Sequence, residues 1–271
     1  MTDLALVIEP EQLEEHLQNN DLLIIDLCKH SQYVQAHIPG AVYLDYNAIV
    51  AINKPVAGLL PDDEHMSTVL SSIGLSTDKH IVAYDDEGGG KACRLIWTLH
   101  ALGHTKTSLL NGGLFSWANE GHPVNNEPVS AQQSQYSASY SASHIIADAD
   151  YIFRHLAADN IALLDARSTQ EYDGIKRFAE QAGHIPGAKH FEWTDGLDRE
   201  KNYRFLPAEK ILSELNELGL SNDKEIIVYC QTHHRSSLSY VMLKHLGYEK
   251  VRGYPGSWSD WGNRQGMPVE T

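Results

Sequence analysis

The stretch from Lys224 to Ser236 reads K-E-I-I-V-Y-C-Q-T-H-H-R-S. Its apolar, β-branched run I-I-V-Y predicts a buried strand that ends at Cys230. A short polar loop follows, and Ser236 or Ser237 is the expected cap of a helix that runs to about Leu246. Strand, loop and helix in this order indicate an α/β fold whose ligands bind beyond the carboxyl end of the strand.

Such a loop is suited to binding an anion. The free amides of the loop and of the first helical turn converge, and the helix dipole adds about half a unit of positive charge. A cysteine placed there is expected to have a pKa of roughly 3.5 to 7.5 in place of about 8.5, helped by Arg235 and by protonated His233 or His234. The alternative is a structural cysteine, although the end of a strand before a polar loop is poorly placed for core packing.

Composition sets the wider limits. A length of 271 residues suits two domains, and a net charge of -15 argues against nucleic acid or an anionic membrane as the partner. No apolar run reaches the roughly 18 residues that a membrane span needs, and the first ten residues show no signal-peptide pattern. Three widely spaced cysteines, Cys28, Cys93 and Cys230, indicate a reducing environment, so we expect a cytoplasmic protein without disulfides.

The chain carries an internal duplication. The motif G-H-I-P-G-A at 183–188 corresponds to A-H-I-P-G-A at 36–41, and I-A-L-L-D-A-R at 161–167 corresponds to L-L-I-I-D-L-C at 22–28. The same motifs in the same order, with strands alternating with helices, predict two tandem domains, each with a central parallel sheet flanked by helices.

Domain boundaries follow from this duplication. We predict an N-terminal domain over residues 1–124, a linker over 125–143 and a C-terminal domain over 144–271. The linker is rich in Ser, Gln and Ala and shows little periodicity, although Tyr136 and Tyr140 could pack it against a surface.

The two copies differ at the decisive position. Asp85 stands in the first copy where Cys230 stands in the second. A carboxylate cannot replace a sulfur nucleophile, and the loop that follows, 86–90, is acidic and glycine-rich and lacks a positive centre. We therefore predict that the N-terminal domain is catalytically inactive and that the C-terminal domain carries the activity.

These motifs resemble a known family. D-A-R-S-T-Q-E-Y at 165–172, with the G-H-I-P-G-A that follows it, and G-Y-P-G-S-W-S-D-W at 253–261 resemble the signatures of the rhodanese family. The loop C-Q-T-H-H-R-S is similar to that of the bacterial rhodaneses typified by the Azotobacter enzyme. The resemblance covers nearly the whole chain. It implies tandem rhodanese-like domains, a thiosulfate:cyanide sulfurtransferase activity and a persulfide intermediate on Cys230, with no cofactor.

The implied reaction assigns roles to residues. The Cys230 thiolate attacks the outer sulfur of an anionic donor such as thiosulfate, and cyanide, a thiol or a protein acceptor then removes that sulfur. Trp193 and Thr194 could form the pocket wall, although a core position for the tryptophan is an equal alternative. Asp165, Arg167 and Glu171 are expected to form structural pairs beside the site. We expect no metal, since adjacent histidines have the wrong spacing for ligands. The residues expected to bind the donor and the persulfide are Gln231, Thr232, His233, His234, Arg235 and Ser236.

Departures from the family pattern leave alternatives open. Gln231 and Thr232 stand where the animal enzymes carry Arg and Lys, and Glu171 stands where an arginine is usual. A 3-mercaptopyruvate sulfurtransferase is a weaker interpretation, because its C-G-S/T-G-V-T loop is absent. A phosphatase or arsenate reductase would use C-x5-R, whereas the spacing here is C-x4-R, a tighter ring that suits one sulfur atom. A persulfide carrier that delivers sulfur to a protein partner would use the same chemistry.

Overall fold

The computed structural model describes residues 4–271, which form two compact units. The first unit comprises residues 4–49, 61–142 and 197–205. The second comprises residues 50–60, 143–196 and 206–271.

Thirteen strands are present within residues 4–271. They are β1 (Val7–Ile8), β2 (Leu22–Asp26), β3 (Val42–Tyr43), β4 (Ala51–Asn53), β5 (Val56–Leu59), β6 (His80–Tyr84), β7 (Thr107–Leu110), β8 (Ile161–Asp165), β9 (Lys189–His190), β10 (Leu197–Asp198), β11 (Arg204–Phe205), β12 (Glu225–Tyr229) and β13 (Val251–Gly253).

Ten α-helices accompany these strands in the described part of the chain. They are α1 (Pro10–Glu14), α2 (His30–Tyr33), α3 (Asp63–Ser72), α4 (Gly90–Ala101), α5 (Gly113–Asn119), α6 (Ala149–Arg154), α7 (Thr169–Tyr172), α8 (Ala208–Glu217), α9 (Arg235–His245) and α10 (Ser257–Trp261). No helix in these residues is long and apolar enough to cross a lipid bilayer.

The first unit is built on a parallel sheet with the strand order β1-β7-β6-β2-β3. Its central strand β6 is buried along its whole length, as its continuous apolar run requires. Ile8, Val82, Tyr84 and Trp117 belong to the core cluster at this sheet.

The second unit repeats the design with the parallel order β13-β12-β8-β9. Ile227, Tyr229, Trp258 and Trp261 belong to its core. The pairing of β12 with β8 places Tyr229 opposite Asp165 at the carboxyl ends of the two strands, so the residues that follow both strands meet at one edge. Two parallel sheets with flanking helices confirm the predicted α/β class.

Equivalent side chains show that the duplication is structural. The Tyr84 hydroxyl accepts the Ile38 amide at 3.1 Å, and the Tyr229 hydroxyl accepts the Ile185 amide at 3.2 Å. His184 stacks on Tyr172 with ring centroids 3.6 Å apart, as its counterpart His37 stacks on Tyr33 at 4.1 Å. This repeated stacking indicates a structural role for the histidine of the motif in both copies.

The compact units are not contiguous in sequence, and the domain bounds 1–124, 125–143 and 144–271 stay a prediction. The antiparallel hairpin of β4 and β5, in residues 50–60, belongs to the second unit, and the antiparallel β10–β11 hairpin belongs to the first. Most of the expected linker belongs to the first unit: the Ser134 amide bonds the Ser71 carbonyl at 3.0 Å, and Tyr136 is buried. These hairpins are short and lack amphipathic periodicity, so their sequences do not indicate which unit they pack in.

Candidate active site

Cys230 lies where the sequence placed it, at the carboxyl end of β12, with 1% of its surface exposed. Residues 231–234 form the loop that leads into α9. The Cys230 carbonyl accepts the amide of Trp258 at 2.9 Å, and the Gln231 carbonyl accepts the amide of Ser259 at 3.0 Å. The first turn of α10 therefore holds the loop by its backbone.

The start of α9 differs from the expectation. The helix begins at Arg235, and its N-cap residue His234 makes no capping bond with its side chain. Ser236 and Ser237 lie inside the first turn, where the Ser237 hydroxyl donates to the His233 carbonyl at 2.5 Å. The serines do not cap the helix because the tight loop already turns the chain at His233, whose φ is 52°.

Ser257 is a residue of this site that the sequence analysis missed. Its hydroxyl accepts the amides of Cys230 at 3.2 Å and His233 at 3.1 Å, and it donates to the Tyr254 carbonyl at 2.7 Å. Ser257 is fully buried and has a φ of 50°, a conformation that non-glycine residues seldom adopt. The serines of G-S-W-S were the available signal, since a serine hydroxyl can accept backbone amides in a tight loop.

The surroundings of the Cys230 sulfur favour its ionised form. Burial by itself raises the pKa of the thiol. The charge of Arg235, the Ser236 hydroxyl and the amides of Ser236 and Thr232 outweigh burial, so the pKa lies below its ordinary value. These groups carry positive charge or donate hydrogen bonds, and both stabilise a thiolate.

The two loop histidines have separate partners. His233 is buried, and its Nδ1 lies 2.7 Å from the Ser236 hydroxyl, so a hydrogen-bonded series leads from the imidazole through Ser236 to the sulfur. His234 is half-buried, and its ring centroid lies 6.3 Å from that of Trp193. His233 is thus linked to the Cys230 sulfur through Ser236, whereas the His234 ring lies near Trp193 of the predicted pocket wall.

Arg235 is held by a carboxylate. Its two terminal nitrogens donate to the two oxygens of Glu171 at 2.7 and 2.8 Å. Burial alone would raise the pKa of Glu171, but the hydrogen bonds and charge of Arg235, with bonds from Ser168, lower it to about 2. Glu171 is therefore ionised at neutral pH and offsets part of the positive charge that Arg235 brings to the loop.

Asp165 and Arg167 form a buried pair behind the loop. The Arg167 guanidinium bonds both Asp165 oxygens, at 2.5 to 3.0 Å, and the Gly183 carbonyl at 2.7 Å. The guanidinium also lies 4.5 Å from the centre of the Trp258 ring. The backbone amide of Trp258 donates to the Cys230 carbonyl. The pair therefore supports the elements that carry the loop.

The predicted pocket wall follows β9. Trp193 donates its amide to the Ala166 carbonyl at 3.2 Å, which brings residues 193–194 to the carboxyl end of β8. The Trp193 ring lies beside His234, while Thr194 is half-buried next to it in the chain.

The β4–β5 hairpin reaches the same loop within the second unit. The Ser259 hydroxyl accepts the Ala57 amide at 3.0 Å and donates to the Ala57 carbonyl at 3.1 Å. Gly58 has a φ of +76°, and a Cβ added there would lie 2.0 Å from the Thr232 carbonyl oxygen. Only glycine allows this contact with the residue whose amide bonds the Cys230 sulfur.

The corresponding position of the first unit is filled by its own side chain. One oxygen of Asp85 accepts the amides of Glu87 and Gly89, at 3.0 and 2.8 Å, and the other accepts those of Lys91 and Ala92, at 2.9 and 3.0 Å. The anion-binding amides thus persist in this copy, but the carboxylate occupies them.

The loop histidines are not part of any potential metal site in the described residues. One group with ligand atoms close enough to share an ion is found within 4–271, formed by Glu11, Glu120 and His122 of the first unit. Absence of a metal and of a cofactor from the reaction stays a prediction.

Comparisons with known proteins agree with this geometry. Residues 9–120 and 148–264 match the rhodanese-like domain family. The chain is 41% identical to a thiosulfate sulfurtransferase of Azotobacter vinelandii, over 98% of this chain and 97% of that protein, and 40% identical to that of Pseudomonas aeruginosa, over 99% and 98%. It is 31% identical to the sulfur carrier protein TtuD of Thermus thermophilus, over 97% and 96%.

Among solved structures, an EanB variant in complex with ergothioneine superposes with a TM-score of 0.89 at 21% identity, covering 98% of this chain and 70% of that one. YnjE superposes with a TM-score of 0.87, also at 21% identity, covering 98% of this chain and 68% of that one. At such identities these two structures support the fold alone.

Proposed function

Since this chain belongs to the rhodanese-like family, we propose that it moves a sulfane sulfur from thiosulfate to cyanide or another thiophilic acceptor through a persulfide on Cys230. The observation that carries the proposal is the setting of the Cys230 sulfur. It lies among the Arg235 charge, the Ser236 hydroxyl and two loop amides, which lower the thiol pKa. A thiolate is both the nucleophile and the leaving group that such a cycle needs.

The first half-reaction loads the enzyme. The thiolate attacks the outer sulfur of thiosulfate, a new S–S bond forms, and the old S–S bond breaks with its electron pair leaving on sulfite. The loop amides and Arg235 stabilise the negative charge as it spreads over the sulfurs. No external electron donor or acceptor is required.

The second half-reaction releases the sulfur. Cyanide attacks the terminal sulfur of the persulfide, thiocyanate leaves, and the electron pair of the broken bond returns to Cys230 as a thiolate. The same groups that lower the thiol pKa make Cys230 a good leaving group in this step. The cycle is a double displacement in which Cys230 itself carries the sulfur, so it requires no cofactor.

A thiocyanate assay with thiosulfate and cyanide tests the proposal. Cys230→Ala is expected to lose turnover, because no other described residue offers a sulfur among such donors. Cys28→Ala is the matched control, since burial raises the pKa of that thiol and Asp26 raises it further, and this variant is expected to retain turnover. Retained turnover in Cys230→Ala would overturn the mechanism.

A persulfide carrier remains the second candidate function. The similarity to a protein named as a sulfur carrier favours it, and the chemistry at Cys230 is the same. Turnover separates the two, because a carrier loads once and transfers slowly to cyanide.

All three cysteines are free thiols, which suits the reducing compartment of the proposed cytoplasmic location.

A further inference from the structure

An apolar and basic run stands exposed in the second unit. Residues 175–178 read I-K-R-F, and Ile175 and Phe178 are 73% and 61% exposed. Isolated exposed apolar residues are ordinary, but two large ones within four residues are less usual and mark this segment as a candidate contact surface.

This run is linked to the site on two sides. Four residues before it, Glu171 accepts two hydrogen bonds from Arg235, the first residue of α9. At its end, the side-chain amide of Gln231 donates to the Phe178 carbonyl at 3.3 Å. The segment is therefore anchored to Gln231 and Arg235, which both follow Cys230 in the chain, and a molecule bound on it lies close to the Cys230 loop.

The charge of the run opposes that of the chain. Lys176 and Arg177 are exposed between the two apolar residues, in a protein whose net charge is -15. The Arg177 guanidinium donates to the Ala179 carbonyl at 2.8 Å and lies 3.6 Å from the Glu180 carboxylate. Lys176 is exposed. Exposed Asp173 and Glu180 flank the run, so its two cations make this surface less acidic than the chain as a whole, and an acidic, apolar partner meets less repulsion here than the net charge of -15 implies.

We propose that residues 175–178 dock a protein acceptor with an acidic, apolar surface that presents a cysteine thiol to Cys230. Cyanide and thiosulfate are too small and too polar to use exposed Ile and Phe side chains, so the patch fits a macromolecular acceptor. The inference rests on the proposed function, because the docked thiol must meet a persulfide.

The transfer step balances without a further reactant. The acceptor thiolate attacks the terminal sulfur of the Cys230 persulfide, and the bond between the two sulfurs breaks. Its electron pair stays on Cys230, which is left as a thiolate, and the acceptor carries the new persulfide.

Two cysteine peptides probe the surface. The acidic probe is E-L-E-C-D-L-E, and the basic probe carries Lys in place of every acidic residue. Full-length protein loaded with thiosulfate is mixed with each peptide, and persulfide transfer is followed by mass. The acidic probe is expected to accept sulfur about tenfold faster, a preference that weakens as salt rises. The net charge of the chain alone would favour the basic probe.

Matched variants locate the effect. Ile175→Ser/Phe178→Ser is expected to slow transfer to the acidic probe about fivefold, and Lys176→Glu is expected to remove most of the preference. Phe153→Ser, at a side chain 50% exposed on α6, and Lys189→Glu, at another exposed lysine of the same unit, are the controls and are expected to keep it. Turnover with cyanide should stay unchanged in all four variants.

The outcomes separate the two proposals. If the unaltered protein neither forms the Cys230 persulfide nor turns over cyanide, the proposed function fails and the docking inference falls with it. Normal cyanide turnover with equal rates for both peptides, or equal losses in the controls, overturns the docking inference alone. Self-association that disappears in Ile175→Ser/Phe178→Ser would assign the patch to a second copy of this chain and also overturn it.

Discussion

Glu171 accepts a hydrogen bond from Arg235 at each of its two carboxylate oxygens, at 2.7 and 2.8 Å. The resemblance implied only that an acid stands where the animal and mercaptopyruvate enzymes usually carry an arginine. The structure shows that this acid orients the arginine at the start of α9 while cancelling part of its field. Arg235 therefore acts as a positioned donor with reduced net charge.

Removing the carboxylate charge should tighten binding of the anionic donor. In Glu171→Gln the side-chain oxygen can still accept one bond from Arg235, but the opposing charge is gone. We expect KM for thiosulfate to fall about fivefold, equivalent to about 1 kcal/mol. Asp173→Asn, at an exposed acid two residues away, is the control with the same loss of charge. An unchanged or higher KM in Glu171→Gln alone would refute this account of Arg235.

Acid should break the same ion pair. The folded-state pKa of Glu171, about 2, lies below its ordinary value of 4.5, so the pair stabilises the fold above pH 4.5. That stability is lost as pH falls from 4.5 toward 2. Acid unfolding of the unaltered protein and of Glu171→Gln should therefore converge in this window, as followed by circular dichroism. Parallel curves down to pH 2 would contradict the low pKa.

Ser236 should set the acidity of Cys230. Loss of its hydroxyl in Ser236→Ala removes a hydrogen bond to the thiolate, and bonds to charged groups stabilise the charged form, so the thiol pKa should rise. The pH dependence of alkylation by iodoacetamide measures this pKa. Ser237→Ala is the comparison, because that hydroxyl bonds the His233 carbonyl and not the sulfur. Equal alkylation profiles for both variants would exclude this role of Ser236.

Gly58 should matter to the reaction although it comes from the first half of the chain. A Cβ at Gly58 would lie 2.0 Å from the Thr232 carbonyl oxygen, so Gly58→Ala must displace the loop that bonds the sulfur. We expect kcat/KM to fall about a hundredfold, as for other small misplacements of reacting groups. Gly219→Ala controls for strain: its φ is +74°, but its Cβ would meet nothing within 4 Å. Similar losses in both variants would show that backbone strain, and not contact with Thr232, is responsible.

Asp85 should serve stability and not sulfur transfer. Its carboxylate accepts four amides in the first unit, so Asp85→Ala leaves buried donors without their partner at a cost of about 3 kcal/mol. Thermal unfolding should occur at a lower temperature, while turnover at 25 °C stays within about twofold. Glu87→Ala, which removes a partly exposed ion pair with Lys91, should leave the unfolding temperature nearly unchanged. Loss of turnover in folded Asp85→Ala would contradict an inactive first copy.

The local part of this site could be predicted from sequence, and the long-range part could not. Cys230 follows an apolar run that dictates a buried strand, and its polar loop dictates a turn into a helix, so the strand and loop could be predicted. Ser257 and Gly58 escape such analysis because their function depends on contacts with residues distant in sequence. The hairpin of residues 50–60 gives no sign in its own sequence that it accompanies the second sheet.

The persulfide on Cys230 can be observed by measuring the intact mass of the protein after incubation with thiosulfate and again after cyanide. We expect a gain of one sulfur atom on the peptide that contains Cys230, its complete loss to cyanide, and release of an equal amount of thiocyanate. A protein that gains no mass, or that carries the sulfur on Cys28 or Cys93, would contradict the persulfide cycle on Cys230.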